Sequence, residues 1–293
     1  DEFKKQVVAA GGTLEDFGAS TDWQDEIFRT GNTFENNLTR SGGANKLVYY
    51  ASLNAQNQTG ILKGSNMKRY TGRFNATQKF WDDRLTVDVN LTAANTNNRR
   101  PSIDGLLGTA ISNNPTLPAR DANGDPAKFE NASNPLLDLE LYKDVVAVNR
   151  VLGNISPTLR IIKGLTYKLN FGIDNATSTR DIVNFANAVP QRDGRFETQN
   201  ILLRNRLIEN YITYTSDIDK HAFSVLAGHS YQNILYQYRS FSINKLPLND
   251  LDPIYNPGIG QELTMANNRP TGNANISELQ SYFARINYGF DNK

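Results

Sequence analysis

The sequence predicts an all-β fold: the wall of an antiparallel, up-and-down transmembrane β-barrel of about nine strands. Three observations carry this. Apolar and polar residues alternate in many separate runs, as in Leu165-Thr166-Tyr167-Lys168-Leu169-Asn170-Phe171, and a pleated strand sends alternate side chains to opposite faces. The connections between these runs alternate between short and long. No apolar run approaches the ~18–20 residues of a membrane helix, whereas a barrel strand needs only ~9–11 residues.

Residues 1–31 read as a helix-like opening, then Gly11-Gly12, then Thr21-Asp22-Trp23-Gln24-Asp25-Glu26-Ile27-Phe28. A strand is expected near 33–41 and, after Gly42-Gly43, another near 46–57, with Leu47, Tyr49, Ala51, Leu53 and Ala55 on one face. The strand near 68–80 sets Tyr70, Phe74, Ala76 and Phe80 against Arg69, Thr71, Arg73, Asn75, Thr77 and Lys79. A tight turn at 81–84, rich in Asp, suits the backbone that hairpins require. Beyond it Leu85, Val87, Val89, Leu91 and Ala93 oppose Thr86, Asp88, Asn90 and Thr92.

Residues 97–147 read as a long irregular stretch holding five prolines. Alternation returns with Val151, Ile155, Leu159 and Ile161, where Pro157 implies an edge, a bulge or an unpaired position. Lys163-Gly164 turns the chain into the 165–174 strand, and 176–200 reads as irregular. Strands follow near 202–216 and 222–240 around a turn at 217–220. Residues 243–276 read as another loop, and a last strand shows Tyr282, Ala284, Ile286, Tyr288 and Phe290 against Phe283, Arg285, Asn287 and Gly289. The chain ends in what reads as a turn, Asp291-Asn292-Lys293. Asp1-Glu2-Phe3-Lys4-Lys5 begins no signal-peptide apolar core, and both ends read as cut from something longer.

A meander sends odd and even connections to opposite ends. Short turns at 42–45, 81–84, 163–164 and 217–220, with longer loops between them, match the periplasmic and extracellular sides of an outer-membrane barrel. Long structureless loops are uncommon inside a compact soluble domain. Lys46, Arg69, Arg73, Lys79, Asp88, Lys168 and Arg285 are expected to point away from the apolar side. Tyr49, Tyr70, Phe80, Trp81, Tyr167, Tyr282 and Phe290 suit interfacial girdles, and equally suit ordinary strands. The solvated outer faces of a soluble sandwich would show the same alternation, so that reading stays open.

Composition narrows the chemistry. The 293 residues are 39% hydrophobic, with 13 Tyr, 14 Phe and abundant Asn, and the mean hydropathy of −0.52 is polar for a buried-core enzyme. Without cysteine there is no disulfide, zinc-thiolate site or Cys nucleophile. A net charge of +1 without a basic tract gives no nucleic-acid footprint. Asp121-Ala122-Asn123-Gly124-Asp125 has its Gly at the fourth rather than the sixth position of a calcium loop, and an Asx-type turn is expected. His221 and His229 lack a third ligand, Gly258-Ile259-Gly260 lacks a phosphate-loop fingerprint, and Asp82-Asp83 and Asp217/Asp219 read as turn residues. Neither an enzyme nor a bound cofactor or metal is expected.

Thr21-Asp22-Trp23-Gln24-Asp25-Glu26-Ile27-Phe28-Arg29-Thr30-Gly31, with Asn37-Leu38-Thr39-Arg40-Ser41-Gly42-Gly43, resembles the SusC/RagA-type TonB-dependent outer-membrane transporters of Bacteroidetes. So do Tyr49-Tyr50-Ala51-Ser52-Leu53, Gln58-Thr59-Gly60-Ile61-Leu62, and Asn114-Pro115-Thr116-Leu117-Pro118 with Asp121-Ala122-Asn123-Gly124. The likeness spans essentially the whole chain and is most specific from Thr21 to Gly60. It implies part of a 22-strand barrel closed by an N-terminal plug, in the Gram-negative outer membrane. It implies import of oligosaccharide or peptide with a SusD-like surface lipoprotein, energised by the TonB complex through a plug domain this chain lacks. No TonB box or plug is found. The expected organisation is a lead-in at 1–31 within the barrel domain and a partial barrel at 32–293.

Substrate contacts are expected from the lumen and the long loops: Arg69, Arg73, Asp88, Asn90, Arg99, Arg100, Tyr142, Lys168, Asn170 and Tyr255. Two alternatives remain, a soluble or surface-anchored β-sandwich that binds glycan without transport, and a passive porin without a plug.

Overall fold

The computed structural model describes residues 2–13, 15–248, 251–260, 268 and 270–291. Nine strands form one antiparallel sheet in strict chain order: β1 (Asn32–Ala44), β2 (Leu47–Thr59), β3 (Asn66–Phe80), β4 (Leu85–Arg100), β5 (Tyr142–Ile162), β6 (Leu165–Asn184), β7 (Gly194–Ile218), β8 (His221–Leu246) and β9 (Thr271–Phe290). Among the described residues four short α-helices lie outside it, α1 (Glu2–Ala9), α2 (Trp23–Ile27), α3 (Ile103–Ser112) and α4 (Pro135–Leu141), with one 3-10 turn at Pro257–Ile259. None is long and apolar enough to cross a membrane. Each strand pairs with its sequence neighbour, the meander that the alternating connections predict.

The short turns depend on residues that tolerate left-handed backbone. Asn45 and Lys46 have φ of 50° and 68°, Trp81, Asp82 and Asp83 lie between 51° and 64°, and Asp219 is at 53°. Lys46 therefore lies in a turn, not on a strand face, and its Nζ reaches Asp83 of the neighbouring turn at 3.3 Å. Gly164 has φ +82°, and a Cβ there would stand 2.3 Å from the Thr215 carbonyl oxygen. Gly164→Ala is expected to destabilise the wall by about 2 kcal/mol through positive φ and backbone collision together. A urea titration of the refolded barrel in detergent checks this, and an unchanged midpoint would contradict it.

The strands run further than the alternation suggested. β5 begins at Tyr142, inside the stretch read as irregular, and the same stretch contains α3 and α4. Most of 176–200 is strand, leaving 185–193 as the loop, and the 217–220 turn shrinks to 219–220. Pro157 lies in a central strand facing Val87, while the β5–β6 pairing passes from Ile155 to Thr158, so it occupies an unpaired position. The turn expected at 291–293 falls outside the described residues after Asp291, as does 261–267 of the last long loop.

Paired residues share a face, so the register sorts the side chains. One face carries Leu53, Tyr70, Phe74, Leu91, Ile155, Phe171, Ile208, Ile212 and Val225. From β2 to β9, between the short turns and the level of Tyr70, Ile173 and Ile208, this face has no Asp, Glu, Lys or Arg. Only β1 places a charge there, Arg40, which nothing in the structure explains. The zone is about ten residues high, about 25 Å at ~3.3 Å per residue and a tilt near 40°, which matches a barrel's lipid-facing band. Trp81, Tyr167, Tyr214, Tyr288 and Phe290 edge it near the short turns, and Tyr70, Tyr231 and Tyr282 near its upper limit.

This face is bare. Phe74, Leu91, Ile155, Phe171, Ile208 and Ile212 are all 40–43% exposed in an interior region of the sheet. Among the described residues no second sheet covers them, so the sandwich reading fails: its strands would bury these side chains. The buried apolar clusters lie instead at the long-loop end. One joins Trp23, Ile27, Leu62, Leu106, Ala110 and Leu117, and the other joins Val183, Phe196, Ile243 and Leu246.

Candidate functional site

The opposite face is a connected polar surface. Thr77 Oγ1 donates to Asp88 at 2.6 Å, and Asn90 Nδ2 donates to Asn154 Oδ1 at 3.2 Å. Asn154 Nδ2 and Ser156 Oγ both donate to Asn170 Oδ1, at 3.1 and 2.6 Å, while Asn170 Nδ2 donates to Glu209 at 2.9 Å. Above this chain Arg150 makes a two-pronged contact with Asp174, at 2.8 and 2.6 Å. Amide, hydroxyl and carboxylate groups joined across four strands, β4 to β7, hold one another's orientation, so the face is presented as a fixed surface.

Arg69 and Arg73 project from β3 into a shallow polar depression of about 300 Å³, shared with Glu35, Tyr50, Asn54 and Gln56. Lys168 projects to the same side from β6. Among the described residues these three cations have neither ion pair nor hydrogen bond, so their donors are open to whatever fills the lumen. Asp88, Asn90 and Asn170 are on this face too, but engaged with neighbours. Six of the expected contact residues thus line one wall.

Arg100 and Tyr142 stand higher, at the long-loop end. Asp144, almost wholly buried, accepts from Arg180 Nε and Nη2 at 3.0 and 2.7 Å and lies 3.5 Å from Arg100 Nη2. Arg100 is therefore a rim structural residue as well as a candidate contact. Arg99, one residue away in β4, projects to the other face. Tyr255 belongs to the last long loop, 79% exposed, with Lys143 Nζ 5.9 Å from its ring centre and Lys143 also paired with Asp252.

The rim also carries a built platform. Asp22 caps α2, accepting from Gln24 and Asp25 backbone N–H at 3.0 and 3.1 Å, which sets Trp23 and Ile27 one turn apart on the buried side. Trp23 Nε1 donates to Asn114 O at 3.0 Å, and Thr21 N–H donates to Pro115 O at 2.7 Å. The stretches from Thr21 and from Asn114, both of which carry the resemblance, are therefore one packed unit. Asn134, wholly buried, donates to the carbonyls of Ala119 and Ala127 at 2.8 Å and accepts from Leu136 N–H at 3.0 Å. Asp121 Oδ1 accepts from Asn123 and Asp125 N–H at 2.8 and 3.1 Å, the expected Asx-type turn. Between platform and wall lies a cavity of about 290 Å³ lined by Leu106, Thr109, Asp138, Tyr142, Phe185 and Arg192. Arg192 Nη1 donates to Asp138 at 2.6 Å across it.

Sequence reasoning did not single out Arg150, Asp174, Glu209, Asp144 or Arg180. Their pairing follows from the cross-strand register, which one strand read alone does not reveal. The Asn134-Pro135 pair was a usable signal: an N-cap residue followed by proline at the first helical position.

No family model matches the chain. Sequence relatives do. TonB-dependent receptor P3 of Formosa agariphila is 28% identical across 100% of this chain and 30% of its own length. TonB-dependent receptor SusC of Bacteroides thetaiotaomicron is 27% identical across 94% of this chain and 29% of its own length. Among solved structures, the RagAB peptide transporter superposes with a TM-score of 0.79 at 22% identity, covering 96% of this chain and 33% of that one. The chain thus spans about a third or less of the length of the relatives it matches. The register, the bare apolar band and the whole-chain likeness agree: the chain is a barrel-wall segment similar along its whole length to the SusC/RagA type of TonB-dependent receptor, proteins of the Gram-negative outer membrane.

Proposed function

We propose that this wall is part of a TonB-dependent importer that takes up oligosaccharide or peptide with a SusD-like surface lipoprotein. The observation that carries this is the lumen face: Arg69, Arg73 and Lys168 present unengaged donors from a wall whose other polar groups hold each other in place. Residues 1–31 are the lead-in of the barrel domain, and 32–293 its partial wall. Arg69, Arg73, Asp88, Asn90, Lys168 and Asn170 meet substrate or plug in the lumen. Arg100, Tyr142 and Tyr255 meet substrate at the mouth, where the platform offers the lipoprotein a fixed surface. The name of the RagAB peptide transporter supports peptide as one cargo class.

Uptake of fluorescent oligosaccharides and peptides by cells of the source organism tests the reading. Uptake that needs the protein and stops when the proton gradient is collapsed supports it. Gradient-independent uptake would replace it with a passive porin. Arg69→Gln/Arg73→Gln is expected to lower apparent affinity for the cargo about tenfold, since hydrogen bonds to charged groups contribute ~1.5–3 kcal/mol each in buried sites and less here. Unchanged uptake by a correctly assembled variant would remove these two residues from the contact set.

A further inference from the structure

Immediately above the lipid-facing band the same outward face changes character. At higher positions on the strands it carries Lys68 on β3, Arg99 on β4, and Arg204 and Arg206 on β7, against two acids, Asp181 on β6, in register with Arg99 through Val145, and Glu278 on β9. Glu278 is engaged: Tyr231 Oη and Asn233 Nδ2 both donate to it, at 2.8 and 2.9 Å. Arg204 and Arg206 have no ion pair or hydrogen bond among the described residues. Arg206 is exposed and Arg204 half-buried. Two residues apart in one strand, they project from the same side about 6.6 Å apart along it. Asn175 pairs with Arg204 and Asn233 with Arg206, adding neutral amides beside them. Below them Ile208 and Ile212 begin the bare apolar band.

We propose that Arg204 and Arg206 form a site for the phosphate group of an outer-leaflet glycolipid. The occupant follows from position and charge. A group bound here has acyl chains against Ile208, Ile212 and Phe171, and a head at the level of the guanidinium pair. Planar guanidinium forks match phosphate oxygens two at a time, and Asn175 and Asn233 supply further donors. The site rests on the outer-membrane placement of the wall and is independent of what the lumen transports.

The test uses protein extracted from its native outer membranes in mild detergent and delipidated. Native mass spectrometry then follows binding of bisphosphorylated lipid A and of the same lipid after enzymatic dephosphorylation. The wild type is expected to favour the phosphorylated form about tenfold or more, given ~1 kcal/mol per arginine near an anionic head. Arg204→Gln/Arg206→Gln is expected to bring the ratio close to parity, while Lys163→Gln, in a periplasmic turn, leaves it unchanged. Equal binding of the two lipids by the wild type overturns the proposal, and so does a preference that survives the double substitution. Displacement of the lipid by millimolar inorganic phosphate also overturns it, since that marks a free-anion site. The two-lipid comparison on the wild type needs no variant, so equal binding overturns the proposal even where the double variant fails to assemble, and Arg204→Gln alone then tests the site by a reduced preference.

Discussion

Trp23→Ala is expected to open the extracellular platform while leaving the barrel wall closed. Trp23 is 3% exposed, packs in the cluster with Ile27, Leu62, Leu106, Ala110 and Leu117, and donates its indole N–H to the Asn114 carbonyl at 3.0 Å. Truncating a buried Trp typically costs about 3–5 kcal/mol, and here the half-buried Asn114 carbonyl also loses its donor. The platform contains no strand of the main sheet, so this loss is local. Limited proteolysis of intact outer membranes should show new cleavage between Pro101 and Leu141 in the variant. The difference in gel migration between unboiled and boiled samples should persist, because the ladder that makes the barrel resist detergent is untouched. Trp81→Ala, at a 68% exposed position in a short turn, is the matched control and should change neither readout. Protection of the platform equal to the wild type would show that the sheet, not the Trp23 cluster, holds these loops in place.

The same cluster shows where sequence reasoning stops. Strand order, the short turns and the polar identity of Arg69, Arg73, Asp88, Asn90, Lys168 and Asn170 were legible, because within the bilayer one face meets lipid and the other water, and a two-residue period follows directly. Above the band that contrast ends. Tyr142–Arg150, Asn175–Asn184 and Gly194–Asn200 are strand with polar residues on both faces or with loops packed over them, as Val183, Phe196 and Ile243 show. The alternation fades there although the ladder continues, so the strands read as loop. The platform was invisible for a different reason. Its helices are short, and their burial is made by residues such as Trp23 and Asn114, 91 positions apart. Local periodicity does not record such contacts.

The ion pairs divide similarly. Arg150–Asp174 and Arg180–Asp144 join residues 24 and 36 apart on neighbouring strands. The alternation assigned the polar face in outline, but which polar group meets which is set by stagger. Arg99 and Arg100 make the point in two adjacent residues. Both looked like candidates for the mouth, yet the pleat sends Arg100 to the Asp144 cluster and Arg99 to the outer rim.

A pair of neighbouring arginine substitutions tests the orientation on which the lumen and lipid assignments both depend. Leu91 lies midway up the apolar band on β4, paired with Phe74 and Gly153, and is 42% exposed. Thr92, the next residue, pairs with Arg73 and Leu152 on the polar face. Leu91→Arg places a guanidinium near the bilayer midplane and is expected to destabilise the barrel by about 2–4 kcal/mol. Thr92→Arg places the same group in a water-filled lumen beside Arg73, where solvent screening limits the repulsion to about 1 kcal/mol or less. Both replacements have the same charge and side chain, and they differ only in the face the pleat gives them. Equilibrium unfolding in lipid vesicles measures the difference. Equal effects would mean that the apolar face does not meet lipid, and a larger effect for Thr92→Arg would turn the wall inside out, moving Arg69, Arg73 and Lys168 from the lumen to the exterior.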